Sequence, residues 1–239
     1  MNELKLLNYT ITLSLDEIIP DGDQIIINTI NPHCYCQAKH DQPYRESLQR
    51  ANYLLPDGIG IVWAARVLEK KKIIRITGYD LHQHLLNKLN RTGGKVFYLG
   101  ASPSTLLKIE SLVKRDYPNL LVASYSPPFK PEFTDEENND IIAAVNSFNP
   151  SLLFIGLTAP KQEKWSALHK DQLNVPVIAC IGAVFDFYAQ TVIRPGQLWQ
   201  RLGLEWLPRL IREPKRLWRR NLISTPLFIW YVLIARIKK

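Results

Sequence analysis

Five short apolar segments, separated by amphipathic stretches, constrain the fold of this chain more than any other feature. They span residues 24–28, 95–100, 120–124, 151–156 and 175–181 and are dominated by Ile, Val, Leu and Phe. Apolar runs without strict alternation are typical of parallel strands covered on both faces. At 239 residues and 46% hydrophobic, the chain holds enough apolar material for one good core. The pattern predicts an α/β protein with a Rossmann-like, doubly wound parallel sheet.

Helix-start signals lie between these segments. Ser102 followed by Pro103 has the pattern of an N-cap and a first helical residue, and residues 134–137 form a capping box. Pro160 falls in the first turn of a third predicted helix. The helices therefore alternate with the strands, as a βαβ arrangement requires.

The charge of the chain is concentrated at its C-terminal end. Residues 194–239 contain eleven Lys and Arg against two acidic residues, and four of the six tryptophans. The whole chain carries +8, so residues 1–193 are close to neutral. We therefore predict a catalytic or binding α/β domain over residues 1–193, and a basic, Trp-rich helical appendage over 194–239 that contacts an anionic membrane surface.

The longest apolar run, residues 226–235, is about half the roughly 20 residues that a spanning helix needs. It predicts an interfacial helix. Pro208 and Pro214 are expected to break the appendage into segments. The side chains expected at the membrane interface are those of Leu217, Trp218, Phe228 and Trp230.

Three cysteines and an N-terminal segment without a charged and then apolar pattern predict a reducing compartment and no signal peptide.

In doubly wound sheets, ligands bind beyond the carboxyl ends of the strands. The segments that follow the predicted strands are residues 29–32, 100–103, 156–160 and 182–186. Gly100 and Gly156 each lie between a strand and a helix start, where backbone N–H groups can face a phosphate. A simple tight turn is the alternative for each. Neither a GxGxxG fingerprint nor a P-loop is present, so a dinucleotide site or a P-loop ATPase is unsupported.

Asp57 precedes Gly58 and Gly60 at the start of another predicted helix. From spacing alone, an N-cap is the favoured interpretation of this aspartate. The alternative is a catalytic carboxylate, because glycines allow a substrate to approach closely.

Two metal-like patterns are interpreted otherwise. Residues 21–23, Asp-Gly-Asp, precede a strand and lie at the wrong end of the sheet, so we interpret them as a turn. His33, Cys34, Cys36 and His40 match no standard zinc spacing.

Five blocks of sequence occur in an order and spacing that resemble the WecG/TagA/CpsF glycosyltransferases, glycosyltransferase family 26. They are LPDGIGIV at 55–62, RITGYDL at 75–81, GLTAPKQE at 156–163, GAVFDF at 182–187 and LGLEWL at 202–207. The resemblance implies an inverting enzyme that needs no obligatory metal or other cofactor. It implies transfer of a sugar from a UDP-sugar to a polyprenyl-diphosphate-linked sugar, in bacterial surface-polysaccharide synthesis. The resemblance further implies a peripheral enzyme on the cytoplasmic face of the inner membrane.

The resemblance also implies roles for individual residues. Asp57 matches the proposed catalytic base, and Arg75 and Gln162 match further catalytic positions. The candidate nucleotide-sugar-binding residues are Thr29, Asn31, Gly100, Ser102, Gly156 and Asp186. The candidates for contact with the diphosphate or the membrane are Arg209, Arg212, Arg216, Arg219 and Arg220. Departures from the family's usual residues at 189–190, 194–196 and 208 bear on acceptor choice more than on UDP binding.

Two other function classes compete with this interpretation. A pI near 9.4 permits a nucleic-acid binder, but the charge lies at one end beside an apolar run, so we expect no nucleic-acid partner. A non-catalytic nucleotide-binding membrane adaptor is the second. Within the enzyme class, a soluble glycan is the alternative acceptor. The donor sugar and the oligomeric state stay open, with pairing of subunits through the apolar appendage as one alternative.

Overall fold

The computed structural model describes residues 3–18, 22–192, 195–196, 199 and 205–238, and leaves the side chain of Arg216 outside that description. Within these ranges the strands are β1 (Glu3–Leu6), β2 (Tyr9–Thr12), β3 (Ile25–Ile30), β4 (Tyr53–Pro56), β5 (Gly94–Gly100), β6 (Leu120–Tyr125), β7 (Leu152–Gly156) and β8 (Val177–Cys180). The helices of the α/β body are α1 (Pro32–Ala38), α2 (Gln42–Gln49), α3 (Ile59–Glu69), α4 (Gly78–Thr92), α5 (Pro103–Asp116), α6 (Asp135–Phe148), α7 (Lys161–His169) and α8 (Val184–Tyr188). The C-terminal part contains α9 (Trp206–Arg212), α10 (Pro214–Trp218), a π-helical segment (Arg219–Ser224) and α11 (Thr225–Ile237).

Strands β3 to β8 form one sheet in the order β4-β3-β8-β7-β5-β6, and every neighbouring pair is parallel. The five strands predicted from apolar segments are all present. The predicted α/β class with a parallel sheet is therefore confirmed.

Helices cover both faces of this sheet. Ile25 and Ile27 point to one face, where α4, α5 and α8 bury the cluster. Ile26 points to the other face, where it shares a cluster with Val145 of α6 and Trp165 of α7. Adjacent strand residues are thus both buried, which explains the unalternated apolar runs and confirms a doubly wound arrangement.

The β1–β2 hairpin was not predicted. Leu7 and Asn8 form its two-residue turn with φ of 53° and 68°, which is the left-handed geometry of a type I′ turn. Asn is common in that conformation and Leu is not, and no glycine marks the turn. The hairpin packs with α1, α2, α3 and α11 in a third apolar cluster.

Strand β4 was also missed, because it is four residues long and ends in Pro56. Proline donates no hydrogen bond, and it is tolerated here because β4 is the edge strand of the sheet.

The helix starts predicted at Ser102 and at residues 134–137 are confirmed, whereas Pro160 is the N-cap of α7 and not a residue of its first turn. The Ser102 hydroxyl accepts a hydrogen bond from Thr105 N at the start of α5. Thr134 and Glu137 form the capping box of α6. Pro214 begins α10 as a helix break, whereas the predicted break at Pro208 is wrong. Pro208 is the third residue of α9, where its missing N–H has no helical partner to lose.

Helix α11 is two-sided. Phe228 and Val232 are fully buried against α1 and α3, and the rings of Phe228 and Tyr35 lie 5.3 Å apart edge to face. Trp230 is 60% exposed. The predicted membrane contact is therefore wrong for Phe228, and also for Leu217, which is buried within the protein. None of the helices in the described ranges has the length and apolarity that crossing a membrane requires.

Candidate active site

A crevice of about 1090 Å³ runs along the carboxyl ends of the parallel strands. Its walls include every segment that was predicted to follow a strand and to contact a ligand: residues from 29–31, 100–103, 156–159 and 182–186 all line it. Parallel strands end at the same edge of the sheet, so residues distant in sequence meet there.

A second cavity of about 430 Å³ adjoins the crevice, between α3 and the C-terminal helices. Its apolar walls include Trp63, Trp206, Leu217, Phe228 and Ile229. The residues that line both spaces are Asn31, His33, Asp57, Glu205, Arg209, Leu217 and Arg220. The shared residues mark the junction at which ligands in the two cavities would meet.

Asp57 lies at this junction, directly after β4. Its backbone N–H donates to the carbonyl of Ile30 at 2.9 Å, which holds it beside the end of β3. The N-cap of α3 is Gly58, with φ of 93°, and no side chain caps this helix. The N-cap interpretation of Asp57 is therefore wrong, and its carboxylate is left to face the cavities.

The carboxyl of Asp57 is surrounded by opposing influences. Burial raises its pKa above the ordinary 3.8, and it is the largest effect. The guanidinium groups of Arg220, Arg75 and Arg209 lower the pKa, and the carboxylate of Glu205 raises it. A carboxylate with a raised pKa is a stronger base than an exposed aspartate.

Arg75 connects the α/β body to the C-terminal part. Its guanidinium lies 2.6 Å from Glu205 Oε2, and both side chains are less than one-fifth exposed. The pair lies in the smaller cavity with Asp57. Arg75 is therefore near the predicted base, and it also ties Glu205, the residue before α9, to the α/β body.

The glycines after Asp57 have a packing role. A Cβ at Gly60 would lie 2.5 Å from Cγ of Pro32, so α3 reaches α1 only because residue 60 has no side chain.

Thr29 and Asn31 lie at the carboxyl end of β3. Asn31 Oδ1 accepts hydrogen bonds from His33 N at 3.0 Å and Cys34 N at 3.1 Å, so it caps α1. Thr29, the next-to-last residue of β3, lines the crevice.

Gly100 and Gly156 are paired neighbours at the ends of β5 and β7. A Cβ at Gly100 would lie 2.6 Å from the Gly156 carbonyl oxygen, and one at Gly156 would lie 2.8 Å from the Phe185 ring. Neither position therefore has room for a side chain, and the backbone of both glycines lines the floor of the crevice. Ser102 lines it at the start of α5.

Gln162 and Asp186 line the same crevice from α7 and α8. Gln162 is 4% exposed, and its Nε2 donates to Glu163 Oε1 at 2.9 Å. Thr191 Oγ1 donates to the Asp186 carbonyl at 3.1 Å.

The candidate arginines divide by position. Arg209, Arg219 and Arg220 line the crevice, and Arg209 also stacks on the Phe187 ring at 4.9 Å. Arg212 is exposed on α9 and is absent from the described lining of both cavities. The side chain of Arg216 lies outside the described residues.

Three site residues were not predicted. His33 Nδ1 lies 2.8 Å from Ser224 Oγ, and burial, with help from Arg220, lowers its pKa to about 4. Glu163 is a buried carboxyl next to Gln162. Phe129 is fully exposed on the loop after β6 and lines the crevice. Glu163 ends the GLTAPKQE block and His33 directly follows the segment 29–32. Neither was given a role, because the side chains that surround them come from distant parts of the chain.

The metal-like patterns form no cluster. Among the described residues, no group of three or more His, Cys, Asp or Glu side chains is arranged to hold a metal ion. Cys34 and Cys36 are buried in α1, and Asp21 lies outside the described residues.

A sequence profile described as "Glycosyl transferase WecG/TagA/CpsF family" matches residues 4–239. The match includes every element that builds the crevice. The chain belongs to this family. It is thus a glycosyltransferase, and the resemblance that the five sequence blocks indicated is confirmed.

Curated relatives in the family include N-acetylglucosaminyldiphosphoundecaprenol N-acetyl-beta-D-mannosaminyltransferases. The protein of Bacillus subtilis (strain 168) is 31% identical over 208 residues, which cover 87% of this chain and 78% of the relative. The protein of Staphylococcus aureus (strain MW2) is 28% identical over 216 residues, 90% of this chain and 82% of the relative.

Proposed function

We propose that this glycosyltransferase moves a sugar, with inversion, from a UDP-sugar to a polyprenyl-diphosphate-linked sugar in surface-polymer synthesis. The observation that carries the proposal is the position of Asp57 at the junction of two cavities. The larger crevice follows the strand ends, where nucleotides bind in such sheets. The smaller, apolar-walled cavity suits an acceptor attached to a lipid. The names of the relatives favour N-acetylmannosamine as the transferred sugar and an undecaprenyl-diphosphate-linked N-acetylglucosamine as the acceptor.

In this proposal Asp57 is the general base. Its carboxylate takes the proton of the acceptor hydroxyl, whose oxygen forms a bond to the anomeric carbon while the bond from that carbon to the UDP oxygen breaks. A single displacement inverts the anomeric centre, so one base is sufficient. The raised pKa of Asp57 favours proton uptake.

The departing UDP gains negative charge. The guanidinium groups of Arg219 and Arg220 line the crevice, and Arg75 and Arg209 lie near Asp57. Fixed cations and backbone N–H groups in a partly enclosed site stabilise such charge strongly. Gly100, Gly156 and Ser102 form the floor against which we place the nucleotide, with Thr29, Asn31 and Asp186 beside it.

The C-terminal part brings the enzyme to its acceptor in this proposal, which retains residues 194–239 as a membrane-contacting appendage of the α/β domain. Apolar side chains on its outer surface are exposed, among them Trp218, Leu222, Ile223, Trp230, Leu233 and Ile237. Together with its basic residues they suit an anionic lipid surface, which attracts each Lys or Arg by about 1 kcal/mol. A polyprenyl carrier stays in the bilayer, so we infer peripheral binding at the cytoplasmic face of the inner membrane.

A donor screen tests the function. The purified chain is incubated with a short-chain lipid-diphosphate N-acetylglucosamine and, in turn, with UDP-N-acetylmannosamine, its uronic acid, UDP-N-acetylglucosamine or UDP-glucose. Mass spectrometry is expected to find one added sugar, and UDP release, with UDP-N-acetylmannosamine. Absence of transfer and of UDP release with every donor would contradict the proposal.

We expect turnover in excess EDTA to stay within about twofold of the untreated rate, because arginines stabilise the leaving charge in the proposed mechanism. Initial rates of UDP release measure it, with added Mg²⁺ or Mn²⁺ as the comparison. Complete loss of activity that Mn²⁺ restores would assign the leaving-group role to a metal instead.

A further inference from the structure

Glu163 is a buried carboxyl at the edge of the crevice that has no assigned role. It lies in the first turn of α7, is 1% exposed, and borders the crevice with Gln162. Its Oε1 accepts a hydrogen bond from Gln162 Nε2 at 2.9 Å. Its Oε2 is buried without a hydrogen-bond partner, and so is Gln162 Oε1. Buried polar atoms rarely lack partners, so these two point to a ligand.

The surroundings of Glu163 are neutral near pH 7. Cys34, Tyr44 and Cys180 face it from α1, α2 and β8, and burial raises the pKa of each, to about 11 for Cys34 and well above the ordinary value for the others. In the described part of the chain no salt bridge reaches Glu163, and the neighbouring Lys164 pairs with Asp41 at 2.9 Å. Burial raises the pKa of Glu163 to about 7.

An ionised carboxylate only accepts hydrogen bonds, so it holds the NH₂ end of the Gln162 amide and leaves the amide oxygen without a bond to Glu163. The amide lies beside Gly182, where a Cβ would be 3.5 Å from Gln162 Oε1. Gly182 also lines the crevice and has no side chain, so no Cβ separates the buried amide from the crevice at this point.

We propose that Glu163 is a positioning residue that orients Gln162, so that Gln162 Oε1 accepts a hydrogen bond from a hydroxyl or amide N–H on the sugar ring of the donor. The inference rests on the proposed function. It predicts that the crevice recognises a hydrogen-bond donor group on the transferred sugar.

The strand order favours the sugar ring over the nucleotide. Gln162 follows β7 and lies beside Gly182, which follows β8. Asp57 follows β4, which is two strand positions from β8 and three from β7. Two to three strand spacings are roughly 10–14 Å. The anomeric carbon must lie near Asp57, the proposed base. Gly100 and Ser102 lie on the other side of Gln162, and we place the nucleotide there.

Protonation weakens this arrangement. A neutral Glu163 can donate its O–H to Gln162 Oε1, which removes the acceptor from the crevice. We therefore expect the Kd for UDP-N-acetylmannosamine, measured by calorimetry without acceptor, to be about fivefold lower at pH 8 than at pH 6. In Glu163→Gln, either amide end can face Gln162, so the Kd at pH 8 should rise about fivefold and should vary less than twofold with pH.

A control ligand and a control variant show whether the change in Kd is specific to Glu163 and to the sugar. The Kd for UDP alone should differ by less than twofold between Glu163→Gln and the wild type. Lys164→Gln, which removes a charge from the next residue outside the crevice, should behave as the wild type. Equal pH dependence in the wild type and Glu163→Gln, or an equal loss of UDP and UDP-sugar affinity, would overturn the inference. Failure of the wild type to bind any UDP-sugar would contradict the proposed function instead.

Thermal unfolding checks that the variant is folded. The raised pKa of Glu163 means that its contribution to stability is full below about pH 4.5 and is lost as pH rises through about 7. Glu163→Gln removes this loss. Its Tm is expected to equal that of the wild type at pH 5 and to be about 5 °C higher at pH 8.

Discussion

Asp57→Asn is expected to lower kcat by about 10³-fold or more, while the Kd for UDP stays within about twofold of the wild-type value. General-base catalysis contributes about 10²–10⁴-fold, and an amide cannot take the acceptor proton. The side chain keeps its size, and the helix it precedes is capped by Gly58, so α3 loses no cap. Initial rates of UDP release and calorimetry with UDP measure the two quantities.

The pH dependence adds a second signature. The base must be ionised, so kcat/KM should fall as pH drops through the pKa of Asp57, which burial places above the ordinary 3.8. The residual activity of Asp57→Asn should lack that acidic limb.

Glu205→Gln is the matched comparison, because Glu205 is the second carboxylate among the described residues of the smaller cavity and is paired with Arg75. We expect it to retain at least about a tenth of wild-type kcat. Loss of turnover in Glu205→Gln together with full turnover in Asp57→Asn would transfer the role of base to Glu205.

Replacing Trp230 and Leu233 together by Ser is expected to weaken binding to anionic vesicles about 50-fold. Full burial of such a side chain contributes about 1.5–3 kcal/mol, and these two are 60% and 44% exposed on the outer side of α11. Sedimentation with vesicles of phosphatidylglycerol and phosphatidylethanolamine measures the partition. Activity on a short-chain, water-soluble acceptor should stay near the wild-type level.

The substitutions are confined to the outer face for a structural reason. Phe228 and Val232, on the inner face of the same helix, belong to the apolar cluster of α1 and α3. Deleting the helix would open that cluster and confuse unfolding with release from the membrane. Leu107→Ser with Leu121→Ser, two exposed leucines of the α/β body, is the matched control. Equal weakening in both pairs would show that residues 194–239 are not a specific membrane contact.

Five of the eight described strands and most helix starts were predictable because their causes are local. A run such as residues 151–156 contains its own reason to be buried, and the Thr134 capping box satisfies its own backbone N–H groups. The hairpin turn at Leu7 and Asn8 was not, since nothing local favours a leucine with positive φ. Its conformation is held by the cluster that the hairpin covers.

The site was partly predictable for a related reason. The rule that ligands lie after parallel strands selected Gly100, Ser102 and Gly156 directly from the chain, and the family resemblance supplied Arg75 and Gln162. The spacing of residues could not distinguish a helix cap from a cavity-facing carboxylate at Asp57, because both occupy a position just before a helix. Nor could it find Glu163, whose environment comes from α1, α2 and β8.

The sequence by itself determined the α/β class, five of the six parallel strands, the family, and the concentration of charge in residues 194–239. These follow from local hydrophobic pattern, turn chemistry and composition, which act over a few neighbouring residues. Only the tertiary structure decided that Asp57 faces two cavities, that Arg75 pairs with Glu205, and that α11 buries Phe228 while exposing Trp230. Each depends on burial and on charges brought together from distant parts of the chain, and these exist only once the chain has folded.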